Sequence, residues 1–199
     1  MKIIRKNILI ILLLFFISCQ GDNETYILVE PGKVEIEKIY STKSNKKWSQ
    51  FQEDNYNFLF WTIDGYTLQR IVFFKPIKEG ESLFDHDSFF TQESEKRPVY
   101  DVKMNKFEIK EFFENCLIWS REFTKFETNN IESYKMGEAE GVFFDISAQN
   151  ELGLNYKGFA VVVVKNELLY SAYFIATEIE FYEKYKKEAK EIILSLKIL

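Results

Sequence analysis

The sequence predicts an α+β domain, an antiparallel sheet built from hairpins with one inserted helix and one C-terminal helix packed on it. Three observations predict it. Stretches rich in aromatic and β-branched residues are joined by short polar turns, as at Asp64-Gly65 and Lys165-Asn166-Glu167. A single run in mid-chain, Ile109, Phe112, Phe113, Cys116 and Leu117, repeats at helical spacing. The last twenty residues repeat at that spacing too, with Tyr182, Tyr185, Ala189, Ile192, Ile193 and Leu196 on one face.

The N-terminal stretch is of a different kind. Lys2, Arg5 and Lys6 precede an uncharged apolar run from Ile8 to Ile17, and Ser18 stands directly before Cys19. That run is about half of the roughly 20 residues a helix needs to cross a bilayer. Phe16-Ile17-Ser18-Cys19 resembles the lipobox of bacterial lipoproteins, with the small residue and the cysteine in place and Phe16 where Leu is usual. The resemblance implies cleavage before Cys19, a diacylglyceryl thioether on its sulfur, and attachment to a lipid bilayer of the cell envelope. Residues 1–18 are then a signal peptide and 19–25, polar and without period, a tether. The remaining 26–199 fall within the length of one domain. Gln20 rather than Asp after the cysteine favours the periplasmic face of the outer membrane, in a host that sorts by that residue.

Charge narrows the partners. Without Lys2, Arg5 and Lys6 the 26 Lys and Arg fall to 23 against 31 Asp and Glu, a balance of −8. Nucleic acid wants a basic face, and Lys43, Lys46 and Lys47, the nearest approach to one, read as a solvated loop. With Cys19 assigned to lipid, Cys116 has no disulfide partner in the chain, and its place on a helical apolar stripe suits a small buried hydrophobe.

Along the domain, Pro31-Gly32 reads as a turn and residues 33–40 as a half-buried strand, followed by a polar loop to Lys47. Residues 57–74 read as a hairpin whose two-residue Asp64-Gly65 turn sets the register. That register places Trp61 opposite Leu68 in the main core, Leu59 opposite Arg70, and Phe58, Phe60, Ile71 and Phe73 together on the other face, which a helix or loop must cover. The stretch 75–103 has no period and holds Pro76, Gly80 and Pro98. Asn105 and Glu108 then form a capping box, with Met104 and Ile109 placed as a hydrophobic staple. Strands follow at 141–147, 155–164 and 168–176, the second apolar on both faces and hence interior. Thr177 and Glu180 are spaced as a capping box opening the last helix.

The terminal unit, Leu169-Tyr170-Ser171-Ala172-Tyr173-Phe174-Ile175-Ala176 with Phe181-Tyr182-Glu183-Lys184-Tyr185 and Ile192-Ile193-Leu194-Ser195-Leu196-Lys197, resembles the end of PsbP-like domains. The segment Trp61-Thr62-Ile63-Asp64-Gly65-Tyr66-Thr67-Leu68, with Gly80-Glu81-Ser82-Leu83-Phe84 after it, is similar to uncharacterised bacterial lipoproteins carrying a W-T-x-D-G hairpin. The resemblance implies a sheet with a helix across it and a mainly non-catalytic role in binding or assembly. It carries over no active-site residue.

The function expected is a membrane-anchored, non-enzymatic module for an envelope protein or small ligand. No G-x-S-x-G, H-E-x-x-H, P-loop or C-x-x-C occurs, and one histidine cannot supply a two-histidine metal site. The alternative is an envelope hydrolase using two of the 31 carboxylates as acid and base. Asp85-His86-Asp87 has metal-ligand residue types, but consecutive residues do not all turn to one ion, so no metal and no cofactor is assigned. The candidate binding residues are Asp85, His86 and Arg97, in the loop 77–97. That loop is too long to lack structure without a role in binding or in covering the sheet.

Overall fold

A computed structural model describes residues 26–52, 56–84 and 96–199. The expected signal peptide 1–18, Cys19, the expected tether to residue 25, Asp85 and His86 lie outside the described residues. The strands are β1 (Tyr26–Val29), β2 (Gly32–Ile36), β3 (Tyr40–Ser44), β4 (Trp48–Gln52), β5 (Phe58–Thr62), β6 (Gln69–Phe74), β7 (Lys125–Met136), β8 (Ala139–Gln149), β9 (Asn155–Lys165), β10 (Leu168–Thr177) and β11 (Lys197–Ile198). The helices are α1 (Lys106–Trp119) and α2 (Phe181–Leu194). Eight strands form one antiparallel sheet in the order β1-β4-β5-β6-β10-β9-β8-β7, and β11-β3-β2 form a small second sheet. The α+β class, with one inserted and one terminal helix, is the one observed.

Both faces of the large sheet are covered. On one, Ile109, Phe112, Phe113, Cys116 and Leu117 of α1 pack with Phe60, Val72, Phe74, Phe144 and Tyr173. On the other, Tyr185, Ala189, Ile192 and Ile193 of α2 pack with Trp61, Phe73, Val161, Val163 and Phe174. Strands buried on both faces lose the polar alternation of a half-exposed sheet, which is why residues 161–163 and 169–177 are buried without a break. Helix α1 begins as expected: the Asn105 side chain accepts from the Phe107 and Glu108 amides, and the Glu108 carboxylate accepts from the Asn105 amide at 2.7 Å.

Four local expectations are corrected. Residues 33–40 are not one strand; the chain reverses at Glu37 and Lys38, whose φ values are 48° and 58°, and β2 pairs back on β3. The 57–74 hairpin has a longer loop than a two-residue turn. The Leu68 and Gln69 amides both donate to the Gly65 carbonyl, and the Thr62 hydroxyl donates to the Gln69 carbonyl at 2.7 Å, holding 63–68 out of the ladder. The register becomes Trp61 opposite Ile71 and Leu59 opposite Phe73, so these four share one face while Phe58, Phe60, Val72 and Phe74 share the other. Trp61 is fully buried as expected, whereas Leu68 is only half-buried, in the loop. Helix α2 starts from Glu180, at φ 74° and without a side-chain cap; the Thr177 hydroxyl donates to the Ile179 carbonyl instead. The fourth is an omission: β7, with ten of its twelve residues polar, half-buried or exposed at the sheet edge, is a strand the periodicity did not single out.

Candidate functional site

The described ends of the long loop are fixed to the domain. Ile77 and Leu169 exchange backbone hydrogen bonds of 3.0 and 2.9 Å, and the Gly80 and Tyr100 amides donate to the Tyr100 and Glu81 carbonyls, each at 2.8 Å. Gly80, at φ 81°, permits that reversal without a Cβ penalty. Phe84 packs on Phe58 and Phe74 with ring centroids 5.9 and 5.4 Å away, and Tyr100 on Phe112 at 6.2 Å. The flanks of the loop thus help cover the α1 face of the sheet.

On both sides of Tyr100 this segment and α1 line a groove. One part, about 420 Å³, is lined by Asp101, Lys103, Glu108, Glu111 and Phe112; the other, about 460 Å³, by Lys96, Arg97, Ile118 and Trp119. Pro98, Val99 and Asn115 line both, so the two are continuous. The groove is cationic at the Lys96–Arg97 end and mainly anionic at the Asp101–Glu111 end, over an apolar floor. Such a groove can orient a ligand by charge at its two ends.

Of the expected binding residues, Arg97 lies in this groove, half-buried. Asp85 and His86 are outside the described residues, so their approach to Arg97 is not observed. Lys96, Pro98 and Val99 are neighbours of Arg97 in sequence, whereas Glu108, Glu111, Asn115, Ile118 and Trp119 come from α1, and no local spacing in the sequence brings the two groups together.

A second polar group, absent from the expectations, lies inside the α1 face. Arg70 is 1% exposed. Its Nη1 donates to the Tyr66 carbonyl at 3.0 Å, its Nη2 pairs with Glu122, and its guanidinium lies 4.0 Å over the Tyr66 ring. Burial works to lower the Arg70 pKa, but the Glu122 carboxylate and the Tyr66 and Tyr173 phenols raise it further, so the guanidinium stays charged. Burial pushes the Tyr173 phenol up to about 12 and the Tyr66 phenol well above its ordinary value. The Arg70 guanidinium and the Tyr66 and Tyr173 phenols thus keep their protons near neutrality, which suits a structural anchor. Cys116 is similar: fully buried beside Ser82, with its thiol pushed up to about 12 by burial, it is not a nucleophile. Among the described residues no three His, Cys, Asp or Glu side chains gather as metal ligands.

No family model matches the chain, and no curated protein does. Among solved structures, the solution structure of cyanobacterial PsbP from Synechocystis sp. PCC 6803 matches with a TM-score of 0.51 and 9% identity, over 92% of this chain and 98% of that one. A crystal structure from Bacteroides thetaiotaomicron VPI-5482 matches with a TM-score of 0.47 and 14% identity, over 86% of this chain. The chain spans about half, 49%, of the length of that second protein. The domain has a PsbP-like α+β fold.

Proposed function

We propose that this is a lipid-anchored envelope protein whose PsbP-like domain binds a partner or small ligand in the groove beside Arg97, without chemistry of its own. The observation that carries the reading is the groove itself, a concave surface with opposite charges at its two ends and Arg97 at one of them. The anchor rests on Cys19 and the signal before it; among the described residues no helix is long and apolar enough to cross a membrane. A fold does not assign a function, so the likeness to PsbP supplies a scaffold only. The carboxylate enzyme has less support. Among the described residues the carboxyls with a shifted pKa, Asp64 and Glu140, both move down, away from the protonated form a general acid needs.

The test is crosslinking in cells from a photoreactive residue replacing Val99, which is 41% exposed on the groove wall. Capture of a defined partner or ligand should be lost in Arg97→Ala while the unfolding midpoint is kept. Equal capture by the parent, Arg97→Ala, Asp85→Ala and His86→Ala would place the site elsewhere.

A further inference from the structure

The two edges of the large sheet are built differently. At one edge, β7 carries Lys125, Glu127, Glu132 and Lys135 and a register shift between Asn129 and Glu132, devices that discourage association along an open strand. At the other edge, β1 has no charge and no proline, and Tyr26, Ile27 and Leu28 are 54%, 49% and 58% exposed. Isolated exposed apolar residues need no explanation, but three in succession on an edge without charge, proline or bulge do.

Sequence distance says what covers them. Tyr26 is seven residues after Cys19, so at about 3.4 Å per residue it lies within roughly 25 Å of that sulfur. A lipid on Cys19 would hold β1 beside the bilayer surface. We propose that the Tyr26-Ile27-Leu28 edge is a second membrane contact that seats the domain on the lipid surface, an inference that rests on the lipid anchor proposed above. The depth is limited by chemistry. The free N–H and C=O groups of an edge strand are too costly to place in hydrocarbon, so the backbone stays at headgroup level, flanked by Tyr26 and Leu28 on one face of the sheet and by Ile27 on the other. An aromatic ring with a hydroxyl, as in Tyr26, is suited to that boundary. Because β1 carries no charge and the balance after signal removal is −8, the contact is apolar and insensitive to salt.

The test uses the mature acylated protein in phosphatidylcholine vesicles, with an environment-sensitive fluorophore on Leu28→Cys or, separately, Ile27→Cys. Buried Cys116 is not labelled in the folded protein. Leu152→Cys, 92% exposed in the turn between β8 and β9, is the control. At positions 27 and 28 emission should move to shorter wavelength and be quenched by doxyl-labelled lipid, equally in low and high salt, with neither effect at 152. Protein that floats with the vesicles while positions 27 and 28 stay unquenched would overturn the contact and leave the anchor standing. Protein that fails to float would overturn the anchor and this contact with it. A wavelength shift that appears without vesicles and grows with protein concentration would assign the edge to a second copy of the chain and overturn the lipid contact.

Discussion

Arg70 and Glu122 form an ion pair inside the α1 face of the sheet, the arginine side chain 1% and the glutamate side chain 15% exposed. Arg70 is offered by β6, and Glu122 by the connection from α1 to β7, where Arg121 turns the chain at φ 58°. The pair therefore ties the central part of the sheet to the end of the inserted helix. A buried ion pair contributes little net stability over an apolar pair of the same volume, but removing one partner strands the other.

Arg70→Ala and Glu122→Ala should each cost about 3 to 5 kcal/mol in urea unfolding, while the double replacement Arg70→Met with Glu122→Leu should lose far less than the two added together. A single substitution costing under about 1 kcal/mol would mean that water already satisfies the charge left behind.

Trp61→Ala should cost about 3 to 5 kcal/mol. Its ring is fully buried 5.0 Å from that of Phe73 and 6.5 Å from that of Trp48, and its indole N–H donates to Gln50 at 2.9 Å. Denaturant titration checks it, and a loss below about 1 kcal/mol would contradict the observed register.

Asp64 links the β5–β6 loop to α2: its carboxylate accepts from the Tyr185 hydroxyl at 2.5 Å and from Lys184 at 3.1 Å. Partial burial works to raise its pKa, but these two hydrogen bonds and the lysine charge lower it on balance. A carboxyl whose folded pKa is depressed contributes stability above its unfolded pKa of about 3.9, and that contribution is lost as pH falls through the folded value. The melting temperature of the parent should therefore fall more steeply than that of Asp64→Asn on acidification below about pH 5, the two curves running parallel above it. Parallel curves throughout would show that the contacts contribute nothing to folding.

The parts of this fold legible in the sequence are those set by local chemistry. Asn105 with Glu108 marks the start of α1, the Ile109-to-Leu117 stripe its buried face, and the apolar run 161–164 an interior strand. Asn166 and Glu167, both at positive φ, make the tight turn expected between β9 and β10. What sequence could not supply depended on tertiary competition. Glu37 and Lys38 adopt positive φ without being Gly or Asn, so the β2–β3 reversal has no turn signature. The hydrogen bonds from Leu68 and Gln69 to Gly65 beat the two-residue turn that Asp64-Gly65 favours locally, and β1 is a short edge strand placed by its pairing with β4 and by the burial of Val29. Arg97 was singled out from the unpatterned loop around it, and the structure places it in a groove. Lys96 is its neighbour in sequence, but Asn115 and Trp119 reach the same groove from α1, and a lone arginine in the strand that holds Arg70 gives no sign that a glutamate 52 positions later will pair with it.

Both the proposed envelope role and the proposed membrane seating of β1 depend on a lipid at Cys19. Intact-mass and N-terminal peptide mass spectrometry of the protein extracted from its native membranes tests this most directly. The account predicts a chain that begins at Cys19 and carries a diacylglyceryl group on its sulfur, with residues 1–18 absent. A mature chain that begins elsewhere, or one with an unmodified Cys19, would contradict it.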